Sequence, residues 1–104
     1  MSRIEQIKEM LVAHPNDSFL QHALALEYIK IEEDEKAKRL FEELLHDDEN
    51  YVGSYYHLGK LLERNDKVHD AREVYERGMV KAKECGDMHT FNELKTAYDD
   101  LDDE

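Results

Sequence analysis

The 104-residue sequence has few residues that break helices or cross-link chains. It contains one cysteine, one proline, four glycines and no tryptophan. Because Cys85 is the only cysteine, no intrachain disulfide can form and no cluster of thiolates can hold a metal. This cysteine usage fits a reducing compartment, and we expect a cytoplasmic protein.

Long apolar runs are also absent. A membrane-spanning helix needs about 20 consecutive apolar residues, and no segment approaches that length. The polar, amphipathic residues 2–5 do not resemble a signal peptide. The chain has only 14 basic residues against 26 acidic ones, which gives a formal net charge of -12. Such a chain repels phosphate backbones and anionic lipids, so we expect neither nucleic acid nor a membrane as a partner.

What the sequence does contain is apolar residues at helical spacing along almost its whole length. They recur every three or four residues, as at Ile4, Ile7 and Leu11, and no segment shows the strict alternation of a strand. The pattern predicts about six helices, and short turns leave no room for a linker between domains. The predicted helices cover residues 3–13, 18–31, 35–46, 51–64, 68–85 and 88–101.

Local signals mark where these helices begin and end. Residues 2–5 and 18–21 each match a capping box, in which side chains satisfy the free amide groups of a first helical turn. Pro15 ends the first helix, because the residue before a proline avoids the helical conformation. Either Asp87 or Thr90 is expected to cap the last helix.

The sequence repeats itself with an offset of 34 residues, which separates Ala37 from Ala71. Small residues recur where two helices must approach closely, and large residues recur where the space between helices widens. The same offset joins Leu24 to Leu58, Ala25 to Gly59, Tyr28 to Leu62 and Phe41 to Tyr75. This pattern of period and side-chain size resembles the tetratricopeptide repeat.

The resemblance implies an all-α fold, an α-α superhelix of the right-handed solenoid type. Two full repeats would cover residues 18–51 and 52–87. A half repeat would precede them at residues 1–17, and a capping helix with an acidic tail would follow at 88–104, all within one domain. The sequence departs from the family pattern at Gly78, where alanine is commoner.

The resemblance also implies a non-enzymatic adaptor or scaffold that binds a peptide or helix of another protein in a concave groove. The first helix of each repeat and the capping helix would line this groove. The expected groove residues are Phe19, His22, Leu26, Lys30, Tyr56, His57, Lys60, Arg64 and Asn92, with His89 and Thr96 beside them.

The charged groove positions allow two interpretations. Lys30, Lys60 and Arg64 lie in an otherwise acidic chain, and their clustering suggests a site for a carboxylate or an acidic segment. Alternatively, these bases solvate their helix faces and pair with Glu27 and Glu63.

Metal binding and catalysis are both disfavoured. Three groove histidines, His22, His57 and His89, lack the local ligand spacing of a zinc site, so we expect no metal and no cofactor. No arrangement of serine, histidine and acid, no phosphate-binding glycine loop and no HExxH motif is present. The sequence therefore predicts no enzyme.

A second possible role is self-association through the first helix. That helix presents Ile4, Ile7 and Leu11 to the core, which leaves Met10 and Val12 on its outer side. Uncovered apolar residues at the end of a repeat array allow a homodimer.

Overall fold

A computed structural model describes residues 2–101, and in this range the chain is all helical. Six α-helices and no strand form, as predicted. The last residues of the predicted acidic tail, 102–104, lie outside the described residues. None of the helices in residues 2–101 has the length and hydropathy needed to cross a membrane. The helices are α1 (Arg3–Ala13), α2 (Ser18–Lys30), α3 (Asp34–Asp47), α4 (Gly53–Arg64), α5 (Val68–Glu84) and α6 (Met88–Asp99).

The six helices form two compact units. Unit 1 runs to Asp48 and contains α1, α2 and α3, whereas unit 2 begins at Glu49 and contains α4, α5 and α6. In unit 1, α2 packs against both α1 and α3. In unit 2, α5 packs against α4 and α6, and α4 also contacts α6. The grouping into a single domain with repeat boundaries after residues 17, 51 and 87 stays a prediction.

Each unit has its own apolar core, and the residues that define the 34-residue repeat lie in these cores. Fully burying one large apolar side chain contributes about 1.5–3 kcal/mol to folding. In unit 1 the buried apolar residues are Ile7, Leu20, Leu24, Ala25, Tyr28, Ala37, Phe41, Leu44 and Leu45. In unit 2 they are Tyr55, Leu58, Leu61, Leu62, Ala71, Val74, Tyr75, Ala82, Leu94, Ala97 and Leu101.

At Gly78, α5 passes close to both of its neighbours, α4 and α6. A Cβ atom at this position would lie 2.6 Å from Tyr55 Cβ on α4 and 2.9 Å from Leu94 Cδ1 on α6. Carbon atoms pack at about 3.5–4.0 Å, so the space cannot hold even a methyl group. The contacts with Tyr55 on α4 and Leu94 on α6 therefore explain a glycine where the family pattern commonly has alanine.

Three helices end in the same left-handed turn. The turn residues are Glu32 with φ 60°, Asp66 with φ 61° and Gly86 with φ 74°. In each case the residue that follows donates its amide to a carbonyl in the last helical turn, as Glu33 N does to Tyr28 O at 2.9 Å. This is the Schellman arrangement, which satisfies carbonyls that the helix leaves free.

The predicted capping box at Ser18 and Gln21 is wrong. The N-cap of α2 is Asp17, whose carboxylate accepts a hydrogen bond from a backbone amide of the first turn at 3.1 Å. The Ser18 hydroxyl instead donates to Asp48 Oδ2 at 2.7 Å, and Gln21 Nε2 donates to Pro15 O at 3.1 Å. A contact with the end of α3 thus redirects the serine away from its own helix.

The other predicted caps form. Ser2 Oγ accepts a hydrogen bond from Glu5 N at 3.1 Å. Of the two cap candidates for α6, Asp87 is the cap, since its Oδ1 accepts from Thr90 N at 3.1 Å and its Oδ2 accepts from Thr90 Oγ1 at 2.8 Å. These hydrogen bonds, first the backbone one, lower the pKa of the Asp87 carboxyl.

The predicted bounds of α1 match the observed ones, and those of the other five helices differ by at most two residues at either end. The start of α4 lies at Gly53 rather than at 51, because residues 51–52 form a turn. In this turn, Val52 N donates to Asn50 O at 2.9 Å and Ser54 N donates to Tyr51 O at 3.2 Å.

Candidate functional site

In unit 1, all four predicted groove residues lie on α2. Phe19, in the first turn of α2, is 65% exposed. His22 and Leu26 are half-buried, and Lys30 is exposed. These residues follow one another at helical spacing, so the α2 face combines an apolar end with a polar one.

The polar end of this face is an ion-pair network. Lys30 Nζ lies 2.9 Å from Glu27 Oε2, and Arg3 Nε from α1 lies 3.6 Å from the same oxygen. Farther along α2, the His22 ring makes an edge-on contact with the Phe41 ring of α3, with centroids 5.7 Å apart. The Lys30 charge is therefore compensated within its own helix, and His22 is part of the α2–α3 contact.

In unit 2, the structure brings two predicted residues into a concave site between α4 and α6. We call it the α4–α6 cleft, and its volume is about 230 Å³. Arg64, His57 and Asn92 lie on the same two helices but outside the lining. The cleft is lined by Tyr56, Lys60, Glu93, Thr96, Ala97 and Asp100.

The Lys60 ammonium at the edge of this cleft is held by two neighbours on α4. Its Nζ lies 3.6 Å from Glu63 Oε2 and 5.6 Å from the centre of the Tyr56 ring. Glu63 in turn accepts a hydrogen bond from the hydroxyl of Tyr75 on α5. Lys30 and Lys60 therefore make the ion pairs with Glu27 and Glu63 that the second interpretation expects.

His57 lies next to the cleft in a partly buried position. Its ring meets the Tyr56 ring edge-on, with centroids 5.6 Å apart. Burial lowers the pKa of His57, and the nearby Glu93 carboxylate opposes this effect. Among residues 2–101, no three histidine, cysteine or acidic side chains are arranged to hold a metal ion.

Sequence reasoning missed the acidic side of the cleft. Glu93, Ala97 and Asp100 were not among the predicted groove residues. Thr96, which also lines the cleft, was predicted to lie beside the groove residues. The signal was present, because Glu93 and Ala97 lie on one face of α6 and Asp100, directly after the last residue of α6, continues their spacing as i, i+4, i+7. Extending the register beyond Thr96 by one turn reaches Asp100.

A second concavity lies in unit 1, where α2 begins and α3 ends. It has a volume of about 550 Å³. Three of its polar side chains are already hydrogen-bonded, since the Ser18 hydroxyl donates to Asp48 and the Gln21 amide donates to Pro15 O. The lining consists of Asn16, Ser18, Gln21, Asp47 and Asp48.

Solved structures similar to this chain carry the same fold. The crystal structure of a tetratricopeptide repeat domain protein from Salinibacter ruber is 45% identical, with a TM-score of 0.75 over 79% of this chain and 91% of that one. A solution NMR structure of a tetratricopeptide repeat domain protein from the same organism is also 45% identical, with a TM-score of 0.78 over 81% of this chain and 85% of that one.

A third similar structure extends the agreement in fold. It is a Bordetella parapertussis protein solved in solution, 24% identical, with a TM-score of 0.80 over 94% of this chain and 85% of that one. No protein-family model and no curated protein matches the chain. The structural similarity confirms the predicted fold class, an all-α helical repeat.

Proposed function

The chain belongs to the tetratricopeptide repeat family, and we propose that it is an adaptor that holds a peptide or helix of another protein against its first-helix faces. Proteins of this fold are in general protein-interaction modules. The proposed contact surface consists of Phe19, His22, Leu26, Lys30, Tyr56, His57, Lys60, Arg64 and Asn92.

One observation supports this function above the others, namely the α4–α6 cleft. Its lining combines the aromatic ring of Tyr56 with charged side chains and the small buried residue Ala97. Binding sites for protein segments typically pair an apolar contact with a few charged groups that fix orientation. The exposed Phe19 on α2 offers a further aromatic contact of the kind that anchors partners.

A capture experiment tests the proposal. The immobilised chain is incubated with an extract of its native cells, in parallel with a Tyr56→Ala, Lys60→Ala double variant. We expect the double variant to lose the captured protein while its helicity by circular dichroism stays unchanged. A matched control, Val80→Ala with Lys83→Ala on α5, removes one exposed apolar side chain and one exposed lysine, and should capture normally.

Two results would count against this function. Capture that survives in the Tyr56, Lys60 double variant would move the site elsewhere on the chain. The absence of any captured protein would remove the support for an adaptor role. The proposal includes no catalytic step and no cofactor, and a cytoplasmic location remains the expectation from cysteine usage.

Self-association is the second candidate function, and the outer side of α1 supports it. Val12 is 84% exposed and Met10 is 45% exposed, whereas Ile7 on the other side of the helix is buried. Covering two such residues against a second copy would remove apolar surface from water. Sedimentation equilibrium over a range of concentrations tests this role, and a Val12→Lys variant should then shift the mass toward the monomer. A monomeric mass at all concentrations would exclude it.

A further inference from the structure

The α4–α6 cleft carries more negative than positive charge. Glu93 and Asp100 contribute carboxylates to its lining, and Lys60 contributes the one ammonium group. That ammonium lies 3.6 Å from the Glu63 carboxylate outside the lining, which compensates part of its charge. The cleft therefore attracts a cation more strongly than an anion.

A nearby lysine does not change this balance. Lys95 follows Glu93 on α6, but its Nζ lies 2.7 Å from Asp99 Oδ2 and forms an ion pair there. Asp99 and Lys95 are both outside the lining of the cleft. Lys95, the lysine closest in sequence to Glu93 and Asp100, thus has a carboxylate partner of its own.

The hydrogen-bonding groups of the cleft are mostly acceptors. Thr96 Oγ1 donates its proton to Asn92 O at 3.0 Å. Toward any other group, this hydroxyl oxygen can therefore only accept a hydrogen bond. The carboxylates of Glu93 and Asp100 also accept. Lysine and arginine side chains only donate hydrogen bonds, and they are therefore the side chains that match this set.

We propose that the α4–α6 cleft binds a lysine or arginine side chain of the partner protein, with Glu93 and Asp100 facing its charge and the Tyr56 ring against its methylene stem. This rests on the proposed function, and it assigns a basic segment to the partner rather than an acidic one. Long basic side chains bury their stems on apolar surfaces while their charged ends stay in contact with polar groups. The volume of about 230 Å³ is below the usual range for small-molecule pockets and matches the insertion of one side chain.

The first experiment uses amino-acid analogues, so it needs no identified partner. Amide chemical shifts of the 15N-labelled chain are recorded during titration with N-acetyl-arginine methylamide. The citrulline analogue, which has the same shape without the charge, and the glutamate analogue are titrated in parallel. We expect the arginine analogue to shift the amides around Tyr56 and Thr96, and the other two to have little effect.

Two charge-matched double variants identify the groups responsible. Glu93→Gln with Asp100→Asn should weaken binding of the arginine analogue by roughly fivefold, the effect of losing partly exposed ion pairs. Glu43→Gln with Glu76→Gln changes the net charge equally at exposed positions on α3 and α5, and should bind like the wild type. Equal weakening in both variants, or stronger shifts with the glutamate analogue, would overturn the proposal.

A second experiment separates failure of this inference from failure of the proposed function. Random displayed peptides are selected on the immobilised chain, and the selected peptides are sequenced. Peptides rich in lysine or arginine that lose binding to the Glu93, Asp100 variant support the inference. Selected peptides that bind this variant unchanged overturn it but leave the adaptor function intact. If no peptide binds, the adaptor function loses support, and the analogue titration still decides whether the cleft takes a cation.

Discussion

Gly59 lies directly against the ring of Tyr75. A Cβ atom at position 59 would be 2.1 Å from Tyr75 Cε1 and 2.5 Å from Cζ. The backbone of α4 therefore touches an aromatic ring of α5 with no side chain between them. The first repeat has Ala25 and Phe41 at the matching positions, and both residues are buried. The second repeat thus places its smaller residue against its larger ring.

Replacing Gly59 with alanine should destabilise the protein. The added methyl group would force the Tyr75 ring or α4 to move, and overpacking of this kind costs about 1–3 kcal/mol of unfolding free energy. Gly53→Ala is the control, because nothing lies within 4 Å of a Cβ at that position. Urea denaturation followed by circular dichroism measures both variants. Equal stability of the two would show that the contact is not a packing constraint.

The hydrogen bond between Tyr75 and Glu63 should make stability depend on pH in the alkaline range. Burial first, and then the bond to the Glu63 carboxylate, raise the pKa of Tyr75 above its ordinary value of 10.0. The folded state therefore keeps a proton that the unfolded state releases above about pH 10. This contribution to stability is complete below that pH and is lost as the pH rises toward the folded-state pKa.

A Tyr75→Phe variant tests this dependence. It removes the titrating hydroxyl and should cost about 1 kcal/mol near neutral pH, since the half-exposed Glu63 can be solvated and still has Lys60 nearby. Between about pH 9 and pH 11 the urea midpoint of the wild type should fall more steeply than that of the variant. Parallel curves would mean that Tyr75 titrates normally.

The left-handed turn at Glu32 offers a stabilising change. A residue with a Cβ pays about 1–2 kcal/mol in this conformation, whereas glycine does not, although glycine gains entropy in the unfolded chain. Glu32→Gly should therefore raise the unfolding free energy by about 0.5–1 kcal/mol. Glu33→Gly is the matched control, because Glu33 has a φ of -88° and no such strain to relieve. A loss of stability in the Glu32 variant would contradict the expected relief.

The Asp87 cap should contribute to stability at neutral pH and lose that contribution in acid. Its hydrogen bonds to Thr90 lower its pKa from an ordinary value of 3.8. The contribution is therefore present above that value and disappears as the pH falls through the lower folded-state pKa. An Asp87→Asn variant keeps a capping oxygen without the charge. Thermal melts from about pH 5 to pH 2 should show a smaller acid-induced drop in this variant, and identical drops would contradict the argument.

The sequence was sufficient to predict the helices and the small and large residues that pack between them. Side-chain size at Ala25, Ala37, Gly59 and Ala71 depends on local helix contact, and such positions recur with the repeat. Helix ends governed by neighbouring residues, as at Ser2, were also predictable. These features depend on short-range geometry that is the same in every copy of the repeat.

Features that depend on contacts between distant residues were not predictable in this way. Ser18 looks like an N-cap in sequence, but Asp48 lies thirty residues away and takes its hydroxyl. The partner of the Tyr75 hydroxyl was also not predictable, since Glu63 lies on a different helix. A buried tyrosine needs a hydrogen-bond partner, and this requirement was the one signal available for it.

The candidate site illustrates the same limit. Lysines stand out in an acidic sequence, so Lys60 suggested an anionic ligand. The Lys60 charge is partly compensated by Glu63, and the net charge of the cleft depends on Asp100, which follows the end of α6. The sign of the expected ligand changes once these carboxylates are located.

The exposed Cys85 at the end of α5 has a practical consequence. As the only thiol in the chain, it accepts a maleimide fluorophore or a nitroxide at one defined position without any mutagenesis. Paramagnetic broadening from such a label would give long-range distance restraints in solution. The same label can be attached to every variant described above, because none of the variants replaces Cys85.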